Sequence, residues 1–192
     1  MQNAILIGLG SNLYSSAGSP LVTIQESILV LERSGINILA TSRLFQTPAF
    51  PAGSGLDYVN AAALCESALP PSELLMLLQE IEGMFGRQRD QRWGARTLDI
   101  DLLAMGNQVL PEISTYHEWR DLTLHEQQKR TPDELILPHP RIQDRGFVLV
   151  PLADIAPNWV HPVLAKTVTT MLADLPAQAL AGIRPIMPKT GF

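Results

Sequence analysis

The segment from Arg92 to Leu103, RWGARTLDIDLL, carries the residues of this sequence that are best suited to chemistry. Aspartates alternate with aliphatic residues in its second half. Since successive strand residues point to opposite faces, Asp99 and Asp101 share one side, roughly 7 Å apart. Oxygen ligands of this kind suit hard divalent cations such as Mg²⁺. Four arginines fall within ten residues: Arg87, Arg89, Arg92 and Arg96. Because guanidinium groups bind phosphate oxygens, the combination predicts a site for a metal-bound polyphosphate.

Each of these features has a common structural explanation when taken alone. An aspartate pair on an edge strand is often only a solvated face, and a run of arginines is often a surface loop. Here the opposite face of the strand is apolar, which fixes the aspartates on a rigid platform: Leu98, Ile100, Leu102 and Leu103. The combination therefore favours a functional site. By contrast, His117 and His125 lie in a polar segment and are interpreted as solvated residues, not zinc ligands.

Other polar and aromatic residues could complete such a site. Tyr58 and Asn60 share one face of a strand and could bind a planar heterocycle, although an ordinary polar strand end is the alternative. Gln79 and Glu82 end a helix directly before the arginines. The stretch from Leu137 to Leu152 adds a titratable group, a cation and an aromatic ring: His139, Arg145 and Phe147.

Two familiar phosphate-binding motifs are absent from the sequence. Gly8 and Gly10 begin a G-x-G, but Leu13 occupies the third glycine position of the dinucleotide fingerprint. The G-x-x-x-x-G-K-[ST] phosphate loop does not occur either. Any nucleotide must therefore be bound by another device.

The elements that must position these residues follow from hydrophobic periodicity and turn residues. Strands are predicted at 4–9, 36–47, 57–67, around the two aspartates, and, after a hairpin turn, at 107–110. Helices are predicted from Ser19 to Gly35 and from Pro70 to Gly86, with a short one near 167–175. The order β-α-β-β-α-β predicts an α+β fold, a ferredoxin-like antiparallel sheet with helices packed on it as an α-β-α sandwich. Segments 48–56 and 87–96 lack periodicity, and the hypothesis is that they are lids that close over ligands.

Length, charge and composition limit the function classes. With 192 residues, one domain spanning 1–192 is expected, with a surface insertion at about 111–134 and an irregular C-terminal tail from about 159. The net charge of −5 argues against nucleic acid as a partner. No apolar run approaches the roughly 20 residues of a membrane helix. A single cysteine, Cys65, and the absence of a signal peptide indicate the cytoplasm. A monomer is expected, with a weak dimer as the alternative.

Four segments together resemble one known family: RWGARTLDIDLL, DYVNAA, QEIEGMFGRQR and LPHPRIQDRGFVLVPL. Over about residues 3–158 the chain is similar to 6-hydroxymethyl-7,8-dihydropterin pyrophosphokinases of folate biosynthesis. The resemblance implies an ATP-dependent enzyme that transfers pyrophosphate from ATP to 6-hydroxymethyl-7,8-dihydropterin and releases AMP. It also implies two Mg²⁺ ions per site.

The resemblance further assigns roles to residues. Asp99 and Asp101 match the magnesium ligands. Arg87, Arg89, Arg92 and Trp93 match the mobile catalytic loop, and Arg96 matches a further catalytic group that binds ATP phosphates. The ATP-binding residues match Gln79, Glu82, Trp93, Arg96, His139 and Arg145. The pterin pocket matches Thr47, Pro48, Tyr58, Asn60 and Phe147, with Tyr58 and Phe147 on opposite faces of the ring.

The chain departs from the family pattern around the expected adenine and ribose contacts. The segment between Leu110 and Leu137 is longer than in compact members, and three residues differ from those of some relatives: Glu134, Ile136 and Pro140. Two alternatives to the family function stay open at this point. One is a two-metal phosphotransferase or nucleic-acid-processing domain on a ferredoxin-like fold, and the other is an RNA-binding module of similar topology.

Overall fold

The computed structural model describes residues 4–49, 55–87 and 96–187. The strands are β1 Ile5–Ser11, β2 Asn37–Thr41, β3 Phe45–Thr47, β4 Tyr58–Glu66, β5 Asp99–Met105 and β6 Arg184–Pro185. The helices are α1 Pro20–Arg33, α2 Pro71–Met84, α3 Ile113–Arg120, α4 Leu124–Lys129, α5 Gly146–Ile155, α6 Val168–Ala173 and α7 Ala177–Leu180, with a 3-10 turn at Ile142–Asp144. Within the described ranges, none of the helices has the length and apolar character of a membrane span.

The strands form one antiparallel sheet with helices on both faces, which confirms the predicted α+β class. The order in the sheet is β5-β1-β4-β3-β6, and β2 also pairs with β4. One face packs against α1 and α2 through residues such as Ile7, Leu78 and Ile100. The other face packs against α5 and α6 through residues such as Leu6 and Leu103. Leu103 therefore lies on the same face of β5 as the two aspartates, and its expected place on the opposite face is wrong. The interfaces between the sheet and both groups of helices are therefore apolar. A polar site on the sheet must lie where α5 and α6 no longer cover it.

The two long helices begin and end where the sequence predicts. α1 begins at Pro20 after an extended Ser19, and Gly35 follows its end with φ 87°. α2 begins at Pro71 and is followed by Gly86 with φ 79°. Proline in the first turn and glycine in a left-handed conformation after the last are local signals, so they are readable without knowledge of the tertiary structure.

Two predicted strands differ from those observed. The strand expected at 36–47 is divided into β2 and β3 because Ser42 interrupts it: its Oγ accepts a hydrogen bond from the Ala62 backbone N–H at 2.9 Å. The strand expected at 107–110 is wrong. Leu110 forms only an isolated bridge with Leu137, and both residues precede prolines, which have no N–H to continue a ladder.

The segment 111–134 and the chain after residue 159 contain more regular structure than expected. α3 and α4 lie in the first, and α7 and β6 follow the predicted short helix, observed as α6, in the second. These elements have two to eight residues, too few to produce a readable hydrophobic period. Tyr116 on α3 is fully buried, so this segment packs against the rest of the protein.

A buried histidine anchors α3 to the C-terminal part of the chain. His161 is fully buried, and its Nδ1 accepts the backbone N–H groups of Val163 and Leu164, each at 3.2 Å. The proton of the neutral ring is therefore on Nε2, which donates to the Tyr116 hydroxyl at 3.1 Å. Burial lowers the pKa of His161 to about 4.

This histidine predicts a pH-dependent loss of stability. Unfolding lets His161 take up a proton below its ordinary pKa of 6.5, so the stability it contributes is lost as pH falls from 6.5 through about 4. The loss approaches about 3 kcal/mol. Urea denaturation of wild type and His161→Asn across pH 4–7 measures it. We expect the free energy of unfolding of wild type to fall more steeply, and parallel curves would contradict the prediction.

Candidate active site

A cleft of about 590 Å³ lies on the α5 side of the sheet, above β1, β4 and β5. It extends round the edge strand β5 to side chains of α2. The structure brings most of the predicted site residues into this one cleft: Thr47, Pro48, Tyr58, Asn60, Gln79, Arg96, Asp99, Asp101, His139, Arg145 and Phe147. We call Arg96, Asp99, Asp101, His139 and Arg145 the aspartate half, and Thr47, Pro48, Tyr58, Asn60 and Phe147 the aromatic half.

Glycines form the floor of the cleft. In the antiparallel register Asp101 lies opposite Gly8 and Asp99 opposite Gly10, so the aspartates stand beside backbone without side chains. A Cβ on Gly10 would lie 2.8 Å from Asn60 Oδ1, closer than real contacts allow. The sequence excluded this G-x-G as a dinucleotide fingerprint. Its role as a floor between the two halves becomes visible only from the pairing of β1 with β4 and β5.

Asp99 lies between two arginines. Arg87 Nη1 is 2.7 Å from its Oδ1, and Arg96 Nη1 forms an ion pair with its Oδ2. Burial by itself lowers the pKa of Arg96, but the charge and hydrogen bond of Asp99 outweigh burial and the net pKa is raised. The backbone N–H of Arg96 donates to Asn12 Oδ1 at 2.7 Å. Arg96 is therefore a fixed cation at the entrance of β5.

Glu82 lies at the outer edge of β5. It is 3% exposed, its Oε1 accepts the Ile100 backbone N–H at 2.7 Å, and it is ion-paired with Arg87. Burial raises its pKa to about 7, although the Arg87 charge acts in the opposite direction. The family resemblance places Glu82 beside ATP, whereas here it borders a smaller pocket that also touches Gln79 and Arg87. Its contacts hold Arg87 against the aspartate strand.

His139 is a neutral hydrogen-bond donor. Its Nδ1 accepts the Arg141 backbone N–H at 3.1 Å, so Nε2 carries the proton. Burial, with the charges of Arg145 and Arg141, lowers its pKa to about 3. Its backbone N–H donates to Leu103 O at 2.7 Å, which ties this segment to β5. At neutral pH His139 can therefore donate to an anion but is a poor base.

The aromatic half is ordered by hydrogen bonds between neighbouring strands. Asn60 Nδ2 donates to Thr47 Oγ1 at 2.7 Å, and both side chains are buried. Burial, more than the nearby charges, shifts the pKa of Tyr58, and the net pKa is raised, so the phenol stays protonated. Arg145 packs its guanidinium over the ring of Phe147, 5.6 Å from the centroid, where the two halves meet.

The segment expected to be a surface insertion forms one wall of the cleft. Its lining residues include Trp119 and Arg130, whose guanidinium lies 5.0 Å from the Trp119 ring centroid. Arg141 is 7% exposed and donates to the backbone carbonyls at the end of α3: Trp119, Arg120 at 2.6 Å and Leu122 at 3.4 Å. Its sequence showed no apolar period, so the fixed position of this wall could not be predicted.

Some predicted site residues lie outside the described part of the chain. These are Arg89, Arg92 and Trp93. The two candidate lids, 48–56 and 87–96, are described only at their ends, so lid closure stays a prediction.

The aspartate pair fits a magnesium ion bound together with a phosphate ligand. Among residues 4–49, 55–87 and 96–187, no three His, Cys, Asp or Glu residues are grouped as a metal site would need. Mg²⁺ is commonly bound by one or two carboxylates plus substrate phosphates and water. Asp99 and Asp101, beside a glycine floor, offer that incomplete set of ligands.

A family model described as 7,8-dihydro-6-hydroxymethylpterin-pyrophosphokinase (HPPK) matches residues 6–157. The chain belongs to this family. It is 35% identical over 181 residues to a Synechocystis protein named 2-amino-4-hydroxy-6-hydroxymethyldihydropteridine pyrophosphokinase, covering 94% of this chain and 80% of the relative. A Pseudomonas aeruginosa protein of the same name is 36% identical over 163 residues, covering 84% of this chain and 86% of the relative.

Solved HPPK-DHPS structures share the fold. The chain matches wild-type HPPK-DHPS of Plasmodium falciparum with SDX-DHP at a TM-score of 0.61 and 16% identity, covering 89% of this chain and 43% of that one. A second HPPK-DHPS structure, in complex with substrates, matches at a TM-score of 0.63 and 14% identity. The match covers 90% of this chain and 43% of that one. This chain thus spans less than half of those proteins, and the likeness concerns the fold alone.

The buried guanidinium of Arg141 predicts a stability difference between two arginines of the cleft wall. Arg141→Met leaves three carbonyls without their donor, and we expect a loss of about 2–4 kcal/mol in the free energy of unfolding. Arg130→Met is the matched control. It removes an exposed pair with Glu118 and should cost less than about 1 kcal/mol. Urea denaturation of both variants measures this, and equal losses would contradict it.

Proposed function

We propose that this protein transfers pyrophosphate from ATP to 6-hydroxymethyl-7,8-dihydropterin, giving the dihydropterin diphosphate and AMP, as a step of folate biosynthesis. The observation that supports this most strongly is the single cleft in which an arginine-flanked aspartate pair faces an ordered aromatic and amide pocket. The chain's membership of the HPPK family supplies the identity of the two substrates. It also favours this enzyme over the phosphotransferase, nuclease and RNA-binding alternatives.

The aspartate half is proposed to bind ATP. Arg87, Arg96 and Arg145 supply positive charge, and His139 presents its Nε2–H to phosphate oxygens. Arg89, Arg92 and Trp93 are proposed to join them from the catalytic loop, and Gln79 borders the same cleft. Glu82 acts behind these groups by holding Arg87.

Magnesium is the cofactor that this half is proposed to use, with two ions per site expected. Asp99 and Asp101 would hold it. When bound, the ion supplies charge neutralisation and alignment of the phosphate oxygens. An ion at Asp99 would share a carboxylate that contacts two arginines, so Arg87 and Arg96 would lie next to the bound phosphates.

The aromatic half is proposed to bind the pterin. Tyr58 and Phe147 offer ring faces, while Asn60 and Thr47 form a hydrogen-bonded pair that can read the edge of a planar heterocycle. Pro48 closes the rim. Because Asn60 Nδ2 donates a hydrogen bond to Thr47 Oγ1, the Asn60 amide is held in one orientation.

Catalysis is proposed to rest on positioning and charge stabilisation. The hydroxymethyl oxygen attacks the β-phosphorus of ATP, and the bond between this phosphorus and the oxygen that leaves with AMP breaks. The hydroxyl proton is lost to solvent. Tyr58 stays protonated and His139 is a weak base, so neither described group is suited to remove that proton. The arginines stabilise negative charge that develops on the transferred group.

We also propose a ferredoxin-like description of the fold and a single domain. The succession β1-α1-β2/β3-β4-α2-β5, with β5 beside β1 and β1 beside β4, supports it. The interrupted second strand and β6 depart from that succession. A monomer in the cytoplasm stays a prediction from the sequence.

Removing one aspartate charge tests the proposed function. Wild type with MgATP and hydroxymethyldihydropterin should release AMP, measured by chromatography, and Asp99→Asn should lower the rate by at least about 100-fold. Asp174→Asn is the control because it changes an exposed carboxylate paired with Lys166 outside the cleft. No AMP from wild type would refute the function, and an undiminished rate from Asp99→Asn would refute the metal assignment.

A methyl group on the cleft floor tests the pterin pocket. In Gly10→Ala the new Cβ displaces Asn60 Oδ1, so we expect the dissociation constant of the pterin to rise about tenfold, with binding of an ATP analogue changed less than about twofold. Pterin fluorescence titration measures the first value and calorimetry the second. The control is Gly83→Ala, an exposed helical position with nothing within 4 Å. Equal pterin affinity in both variants would contradict the assignment of Asn60.

A further inference from the structure

Residues 177–187 lie beyond the part of the chain that the family model matches, which ends at 157. We call them the C-terminal strap; it contains α7 and β6. None of the strap residues lines the cleft. We propose that the strap is a positioning element for the pterin, which fixes the aromatic half from outside and so sets the affinity for this substrate. The identity of the ligand rests on the proposed function.

The first contact is with the strand that carries Thr47. β6 pairs with β3, Phe45 lying opposite Pro185 and Gln46 opposite Arg184. The Ile186 backbone N–H extends the pairing by donating to Leu44 O at 2.7 Å. β3 has only three residues, and its other neighbour is β4. The strap therefore closes the outer side of the strand that presents Thr47.

The second contact leads to Tyr58. Arg184 donates from Nε and Nη2 to Gln46 Oε1, at 3.3 and 3.1 Å. The other end of the same amide, Gln46 Nε2, donates to Asp57 Oδ2 at 2.8 Å. Asp57 directly precedes Tyr58 at the start of β4. The cation thus orients the Gln46 amide, and the amide holds the residue next to Tyr58.

The third contact is a close approach to Pro48. Gly182 has φ 78°, and a Cβ there would lie 2.7 Å from Pro48 Cγ. Two requirements coincide at this position, since glycine allows both the left-handed backbone and the approach of the proline ring. The strap therefore packs directly against a residue of the aromatic half.

The fourth contact lies beside Phe147. Gly146, the first residue of α5, packs so tightly on the strap that a Cβ would overlap Ala179 O and lie 3.1 Å from Ile183 Cδ1. Gly146 stands between Arg145 and Phe147 in the chain. The strap thus contacts two segments directly, 44–48 and the start of α5, and reaches the start of β4 through Gln46. These contacts lie beside Thr47, Pro48, Tyr58 and Phe147. These contacts converge on one binding pocket, which favours a positioning role over a brace for stability alone.

Gly182→Ala tests the proposal, with Gly35→Ala as the matched control. Both glycines have a positive φ, but nothing lies within 4 Å of a Cβ on Gly35, so the control carries the backbone strain without the contact. We expect Gly182→Ala to raise KM for the pterin about tenfold, with kcat and KM for ATP within about twofold of wild type. Gly35→Ala should lower the melting temperature through backbone strain alone and leave both KM values unchanged.

Arg184→Met provides a second variant. It adds no backbone strain, and because Arg184 is exposed, the substitution does not disturb the core. It breaks the contact to Gln46 and should raise KM for the pterin about threefold. Arg33→Met, at the end of α1, is its control. Unchanged pterin KM in both strap variants, or equal changes in the KM values of both substrates, would overturn the positioning role. Because wild type is assayed first, its failure to form AMP is distinguishable from a failure of this inference.

Discussion

Two aspartates can face an open cleft on β5 because the adjacent strand has glycines opposite them. β1 has apolar residues on its other face, where Ile7 and Leu9 belong to the core, and leaves Gly8 and Gly10 on the cleft side. β1 thus contributes to the core with one face and leaves room for the cleft on the other. The same glycine positions reach β4, where Gly10 lies opposite Asn60, so β1 also fixes the separation of the aspartate and aromatic halves.

The charges around β5 are balanced through Arg87. It contacts Glu82, which is buried, and Asp99, which is partly exposed. Removing one partner of a buried ion pair typically costs about 3–5 kcal/mol, because the remaining charge is left unpaired. Glu82 therefore holds Arg87 in place at a site where the cation also faces the aspartate. This arrangement explains how a carboxylate that does not line the cleft can still determine its electrostatics.

The sequence predicts the parts of this site that depend on short-range patterns. Alternation in β5 places Asp99 and Asp101 on one face, and proline and glycine mark the ends of α1 and α2. Other features depend on contacts between distant residues. The placement of Trp119 in the cleft wall, where Arg141 holds its backbone carbonyl from 22 residues away, has no local signal. β6 has two residues, and only its pairing with β3 makes it a strand.

Two segments that the sequence suggested were peripheral lie against the cleft or against residues that line it. The insertion forms part of its wall, with α3 held by Arg141, and the C-terminal strap supports the aromatic half from outside. The hydrogen bond from His161 to Tyr116 connects the insertion to the chain segment that leads into the strap. The two backbone N–H groups that donate to His161 Nδ1 hold the ring, and so fix the direction of this bond. In the proposed function the two halves of the cleft therefore supply the reacting groups, while the insertion and the strap limit the space in which the two substrates meet.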